Sequence, residues 1–254
     1  SGACKDALFS INGDTEQELS DNLTRLDESL NNSSNKEIQH FARDWYKTNR
    51  DNANTNLALS IIANDPVELK INLQKAREIL ISNKDNYGER IFFTGEPLAK
   101  KHKLAFVFPG SGNHFQGMGQ DIAYHWPKIL HNLDSENNNL ESQFASSRFW
   151  NNNNSSLTHE DVIFGQVWLG TFVSDVISSF GIKPDSVIGY SLGETVGLFA
   201  TRSWTDRDLM LERMKMSSLF KTDLAGPCEA AKTCWGLSNH INVDWQVGVI
   251  NCPA

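Results

Sequence analysis

Hydrophobic positions in the first hundred residues follow two different periods. Between residues 14 and 30 four leucines recur every three or four positions, which predicts one amphipathic helix. Residues 56–64 are apolar and bounded by polar residues, as in a buried strand. Asp65-Pro66 then opens a second helix that we expect to run to about Ile81. The sequence shows us no internal repeat.

A different pattern begins after the charged stretch 100–103, which we take as a domain boundary. An apolar strand at 104–108 runs into Pro109-Gly110-Ser111-Gly112, and a second strand at 186–188 runs into Gly189. A long apolar segment between them, 162–180, has the length of a helix. This order predicts a parallel α/β sheet whose functional loops follow the carboxyl ends of its strands. Two asparagine-rich segments, 137–139 and 151–154, are predicted to be surface loops.

Composition narrows the class of function. The 254 residues carry a formal net charge of −8, which argues against a nucleic-acid partner. We find no apolar stretch near the roughly 20 residues that span a membrane, so we expect a cytoplasmic protein without a membrane partner. The four cysteines have no metal-site spacing, and we predict reduced thiols and no metal site.

The segment Gly189-Tyr190-Ser191-Leu192-Gly193 carries the most specific chemical signal. A serine between two glycines, where a strand turns into a helix, is typical of a nucleophile elbow. Ser191 is therefore the candidate nucleophile, and the backbone N–H of Leu192 is a candidate oxyanion donor. Because Gly-x-Ser-x-Gly alone is a common pattern, the prediction depends on its place between an apolar strand and a helix.

The loop that begins at Pro109 is the second candidate element. It follows another predicted strand, so its amides, that of Ser111 first, could supply the second oxyanion donor. Taken alone, this loop is better interpreted as an ordinary glycine turn.

Together these two loops resemble the motifs of the acyltransferase domains of fatty acid and polyketide synthases. That family's first loop reads roughly FPGQGSQ…GMG and its elbow GHSxGE; here they stand as residues 108–119 and 189–194. The resemblance implies a hydrolase-like parallel α/β core. It divides the chain into a ketosynthase–acyltransferase linker-like α/β domain (1–103), the first part of the acyltransferase large subdomain (104–222), and a truncated, ferredoxin-like small subdomain (223–254).

Departures from the family motif narrow the resemblance. Ser111, Asn113-His114 and Tyr190 replace the usual residues, and they look most like the acyltransferase subunit of bacterial polyunsaturated fatty acid synthases. The resemblance implies that Ser191 takes an acyl group from acyl-CoA and passes it to the phosphopantetheine thiol of an acyl carrier protein. It implies no bound cofactor, and it implies neighbouring ketosynthase or other synthase domains as partners.

Three residues are predicted to contact substrate. Gln166 stands where the family's QPAL-type helix begins, and His114 follows the first loop. Met216 stands where malonyl-specific members carry an arginine, so we expect acyl groups without a second carboxylate. We expect Met214, Met216, and Leu219 with Phe220 to pack in the core.

The general base is expected outside the printed sequence. In the family it is a histidine after the small subdomain, which places it beyond Ala254. Residues 224–227 and 233–237 look like the entry and first strand of that subdomain, and 247–253 like a later strand. His114 is the alternative base, although a helix-start or hydrogen-bonding role fits it better.

Two other classes of function remain open. The chain could be a structural or docking module of a synthase in which the elbow is idle. It could also be an esterase, which would need an acid and a histidine after the serine. His240 is the only histidine that follows Ser191 here, and no aspartate accompanies it at suitable spacing.

Overall fold

The computed structural model describes residues 5–32, 37–49, 55–82, 84–97, 102–144, 146–150 and 157–244. The chain divides into two compact units, Ser1–Lys103 and Leu104–Ala254.

The first unit is an antiparallel sheet covered by helices. Its strands pair in the order β1–β2–β3, and the middle of the β1–β2 pair is Ser10 opposite Ser60. The elements are β1 (Ala7–Gly13), α1 (Glu16–Asn31), α2 (Ile38–Asn49), β2 (Leu57–Ala63), α3 (Pro66–Ser82) and β3 (Ile91–Phe93). The predicted helix from residue 14, the strand at 56–64 and the helix from Asp65-Pro66 are confirmed as α1, β2 and α3.

One hydrophobic core holds this unit together. Alternate strand residues such as Phe9 and Ile61 point into it, and the leucine stripe of α1 is buried against them. The opposite face of the sheet is more open, with Leu8 at 60% exposure. We did not predict β1 or α2, although both carry the matching hydrophobic period.

An internal repeat, which we did not predict from the sequence, relates β1–α1 to β2–α3 with an offset of 50 residues. Glu18 and Glu68 each accept a hydrogen bond from the backbone N–H four residues earlier, which fixes the start of each helix. The side-chain amides of Asn22 and Asn72 each donate to a strand carbonyl, at 2.8 and 3.0 Å. The identical residues are few and lie at capping and packing positions, for example Glu18-Leu19 and Glu68-Leu69.

The two copies face each other across a pseudo-twofold axis. The antiparallel register sets Ser10 opposite Ser60, which are equivalent positions of the repeat. Asp27 and Arg77, also 50 residues apart, form an ion pair between α1 and α3 at 2.8 Å. Asp27 and its equivalent in the second copy, Arg77, thus carry opposite charges and contact each other.

The second unit contains a two-stranded parallel sheet and most of the helices. The elements are β4 (Ala105–Phe108), α4 (Gln120–His125), α5 (Pro127–Asp134), α6 (Ser146–Trp150), α7 (His159–Ser179), β5 (Ser186–Gly189), α8 (Leu192–Ala200), α9 (Arg207–Met216) and α10 (Glu229–Trp235), with a 3-10 turn at Leu140–Ser142 and a π turn at Leu219–Asp223. The parallel pairing of β4 with β5 and the long intervening helix confirm the sequence prediction.

Helix α7 is the central element of this unit. Val167 packs with Phe108 and Val196 in one cluster, while Trp168 and Phe172 belong to a second cluster. The helix has 21 residues and is long and apolar enough to cross a membrane by length and composition, contrary to our expectation from the sequence. Half of its apolar window is buried in the structure.

The predicted strand at 233–237 is wrong, because residues 233–235 end helix α10. The Thr233 hydroxyl donates to the Glu229 carbonyl within the helix, and Gly236 adopts the left-handed conformation that ends it. The aromatic and β-branched residues of this segment are typical of a strand, but Gly236 instead forms the C-cap of a helix. The predicted strand at 247–253 lies outside the described residues.

Two further expectations about burial are corrected. Asn137 is buried, because its side chain accepts from the backbone N–H of Arg207, the first residue of α9, at 2.8 Å. The next two residues of the predicted surface loop, Asn138 and Asn139, are exposed as expected. Met216 is 78% exposed and Leu219 is 41% exposed, so neither packs in the core as expected. Both follow the last buried residue of α9, Leu211, where the helix leaves the core. The second asparagine-rich segment, 151–154, lies outside the described residues.

Candidate active site

Two loops leave the sheet side by side. In the parallel register Phe108 lies opposite Gly189, so β4 and β5 end at the same edge. One more ladder hydrogen bond follows, from the Tyr190 N–H to the Phe108 carbonyl at 3.1 Å. The loop after β4 and the turn after β5 are thereby held next to each other.

Ser191 occupies the turn between β5 and α8 in a strained conformation. Its φ of 52° and ψ of −119° lie in a region that residues with a side chain rarely adopt. Hydrogen bonds from Gly193 N–H to the Tyr190 carbonyl and from Glu194 N–H to the Ser191 carbonyl hold the turn closed. The side chain is exposed as a result, in the geometry of a nucleophile elbow.

The two flanking glycines are required by close approach of the backbone. A methyl group at Gly189 would lie 2.2 Å from the backbone nitrogen of Glu194. One at Gly193 would lie 2.1 Å from the Phe108 carbonyl oxygen. No side chain fits at either position, so the pattern Gly-x-Ser-x-Gly is a steric condition for this turn.

The glycine loop after β4 lies against the serine. A methyl group at Gly110 would lie 3.4 Å from the Ser191 Cβ and 2.9 Å from the Tyr190 ring. The sequence prediction that this loop and the elbow share one site is consistent with this contact.

Two backbone N–H groups beside the serine lack an acceptor. Within the described part of the chain, neither the Ser111 N–H nor the Leu192 N–H donates to a protein atom. Leu192 is the first residue of α8, so the positive end of the helix dipole lies at the same place. Such a pair of donors can stabilise a negative oxygen that forms on a group attached to Ser191.

The Gly110 carbonyl, by contrast, has two donors. It accepts from the Asn113 side-chain amide at 2.8 Å and from the Gln166 amide at 3.3 Å. Gln166 is 8% exposed, and its Oε1 has no hydrogen-bond partner among the described residues. The contact between Asn113 and Gly110 was not foreseen; an asparagine three residues after a loop glycine is its only signal in the sequence.

An apolar cavity of about 370 Å³ adjoins the loop. Phe106, Leu169 and Val173 contribute to its apolar wall, and Asn113 and Gln166 contribute polar groups. The described residues hold no cluster of three or more side chains suited to a metal ion.

The remaining predicted residues are less closely tied to the serine. His114 is exposed, and among the described residues it makes no hydrogen bond to Ser191. Met216 ends α9 with an exposed side chain. Nearby, Lys215 forms an ion pair with Glu141. Substrate contact by His114, Gln166 and Met216 stays a prediction.

Known proteins resemble this chain in both sequence and fold, although no family model matches it. It is 33% identical over 110 residues to the malonyl CoA-acyl carrier protein transacylase of Bacillus subtilis, which covers 42% of this chain and 33% of that protein. It is 28% identical over 127 residues to a highly reducing polyketide synthase of Glarea lozoyensis, which covers 45% of this chain and 5% of that protein.

Among solved structures, the acyltransferase domain of ZmaA matches with a TM-score of 0.55 at 18% sequence identity. The match covers 81% of this chain and 46% of that one. The chain thus spans less than half the length of these relatives. Fold and sequence together support a relationship with the acyltransferase domains of polyketide synthases and with malonyl-CoA-acyl carrier protein transacylases.

Proposed function

We propose that this chain carries the nucleophile of an acyltransferase that moves an acyl group from CoA to an acyl carrier protein. The observation that supports this proposal is the exposed, strained Ser191, near two backbone N–H groups that have no acceptor among the described residues. The transacylase activity named for the Bacillus subtilis relative agrees with it.

The proposed reaction has two steps. The Ser191 oxygen attacks the thioester carbonyl carbon and its proton passes to a base. The C–S bond then breaks, and the base gives that proton to the leaving sulfur, which releases the CoA thiol. The thiol of the carrier's phosphopantetheine then attacks the acyl-serine ester, and the serine oxygen recovers a proton. In both steps the tetrahedral oxyanion would accept from the Ser111 and Leu192 N–H groups.

The base and the narrower family remain parts of this proposal. A histidine following Ala254, as the resemblance implies, would take the proton, with His114 as the alternative within the chain. The departures at Ser111, Asn113 and Tyr190 support the relationship with polyunsaturated fatty acid synthases, whose neighbouring domains and carrier protein would be the partners.

The proposed substrate lacks a second carboxylate. Met216 stands at the position that the resemblance assigns to a carboxylate-binding arginine, and a methionine offers no charge to a buried carboxylate. We therefore expect acetyl-CoA to acylate Ser191 at least tenfold faster than malonyl-CoA.

Intact-protein mass spectrometry tests the proposal on the 254-residue chain and on one extended past Ala254. We expect an acyl adduct on wild type and none on Ser191→Ala, with Ser203→Ala as the control that keeps the adduct. Absence of an adduct on the extended chain with both donors would favour the docking-module alternative. Faster loading from malonyl-CoA would contradict the interpretation of Met216 but not that of Ser191.

A further inference from the structure

The peptide between Gly110 and Ser111 is held from one side only. Its carbonyl oxygen accepts from the amides of Asn113 and Gln166, whereas its N–H has no acceptor among the described residues. The peptide is trans. In a trans peptide the C=O and N–H point in opposite directions. The two amides therefore fix the direction of the Ser111 N–H.

Gln166 is held by the surrounding core in position to donate to the Gly110 carbonyl. It lies on α7, next to the fully buried Val167, and its side chain is 8% exposed. Its Nε2 donates to the Gly110 carbonyl, while its Oε1 is buried without a partner among the described residues. A buried acceptor without a partner destabilises the folded state, because its desolvation is not compensated. An apolar side chain would avoid that cost, so the residue contributes little to stability of its own.

Asn113 holds the loop by a hydrogen bond within it. Its side-chain amide donates to the Gly110 carbonyl, three residues earlier, at 2.8 Å. The Gly110 backbone itself lies against Ser191, since a methyl group on Gly110 would come within 3.4 Å of the Ser191 Cβ. A rotation of this peptide would exchange the positions of its carbonyl oxygen and its N–H beside the serine.

We propose that Asn113 and Gln166 are positioning residues, which hold the Gly110–Ser111 peptide so that the Ser111 N–H faces an oxyanion formed on Ser191. This role rests on the proposed function of Ser191 as a nucleophile. It differs from direct substrate contact, because both side chains act through the Gly110 carbonyl.

The test uses Asn113→Ala, Gln166→Met and the double variant in the whole chain. Gln143→Met is the matched control, since Gln143 also donates its amide to backbone carbonyls, those of Asp134 and Asn137. The first readout is the ¹⁵N-amide signal of Ser111. We expect it to shift in the double variant and to remain in place in Gln143→Met; an unchanged signal in the double variant would overturn the proposal.

The second readout is the rate at which a fluorophosphonate labels Ser191, in which the serine oxygen bonds to phosphorus and fluoride leaves. We expect each single variant to lose about tenfold to a hundredfold, below the ~10²–10³-fold that loss of an oxyanion donor itself costs. Melting temperature and the KM for acyl-CoA should stay near wild type. Unchanged labelling in the double variant would contradict positioning.

This readout separates the two proposals. Labelling that falls in the variants while wild type forms no adduct with acyl-CoA would refute acyl transfer but support positioning. Acylation that proceeds equally well in wild type and both variants would support acyl transfer and refute positioning.

Discussion

At the scale of single residues, Ser191 combines backbone strain with chemical exposure. Its positive φ is imposed by β5, α8 and the two close glycine contacts rather than by its own preference. The surrounding structure maintains this unfavourable backbone conformation, and the Ser191 side chain is exposed. The conformational strain is therefore located at Ser191, and a substitution at this residue can measure its free-energy cost.

Ser191→Gly should make the protein more stable. Glycine adopts a positive φ without penalty, so we expect the free energy of unfolding to rise by about 1 kcal/mol while the acyl adduct disappears. Urea unfolding measures the first effect and mass spectrometry the second. Ser203→Gly, at a residue without positive φ, is the control and should lose stability; a loss in Ser191→Gly as well would show that the turn is not strained.

At the scale of elements, hydrogen bonds to Asp208 join residues 138–142 to the first turn of α9 within the second unit. The Asp208 carboxylate accepts from the backbone N–H groups of Asn138 and Asn139 and from the Ser142 hydroxyl. Burial raises the pKa of Asp208, but these hydrogen bonds together lower it below its ordinary value. Asp206, two residues earlier, is the N-cap of the same helix.

Asp208→Asn should destabilise the protein in a pH-dependent way. A lowered pKa in the folded state means that the carboxylate stabilises the fold above its unfolded pKa of about 4 and loses that effect as the pH falls through the folded pKa. We expect a loss of about 1 kcal/mol at pH 7, because solvent screens this partly exposed carboxylate, and the loss should shrink as the pH falls below about 4.

Urea unfolding between pH 3 and pH 7 measures this difference. Asp206→Asn is the control, because asparagine caps a helix about as well as aspartate and should change little. A loss that is the same at every pH would mean that the Asp208 charge plays no part.

Elements with a clear period or a capping signal could be predicted, and others could not. The leucines of α1 and the apolar length of α7 predicted both helices. Strand β1 alternates correctly, but its partner lies 50 residues away and the local pattern is short. Ser191 and its glycines could be identified because the motif is local. The hydrogen bond from Gln166 to Gly110 spans 56 residues, and only the tertiary structure brings that pair together.

At the scale of the whole molecule, the two units have separate cores. The core of the first unit is built around the repeat, with Leu23 and Leu73 at equivalent positions and both fully buried. The serine and its neighbouring loop belong to the second unit. A substitution in the first core and a substitution at Ser191 therefore act on different units.

Leu23→Ala and Leu73→Ala should have similar effects. Each removes a fully buried leucine side chain, so we expect each to lower the free energy of unfolding by about 2–5 kcal/mol. Fluorophosphonate labelling of Ser191 should not change under native conditions. Val67→Ala, at a position that is 70% exposed, should cost less than about 0.5 kcal/mol in urea unfolding. A loss below about 1 kcal/mol at either leucine would contradict the contribution that we assign to its burial, and a small loss at only one of them would contradict the energetic equivalence of the two copies.

The pairing of Phe108 with Gly189 has a consequence for how this protein can vary. Because adjacent strands lie about 4.8 Å apart, the spacing between the glycine loop and Ser191 is fixed by the sheet and not by the intervening chain. Insertions in the loops between the two strands can therefore change the surroundings of the serine without changing that spacing. Helix α7 is the part of the connection that cannot be replaced freely, because Val167 packs against Phe108 and Gln166 donates to the Gly110 carbonyl.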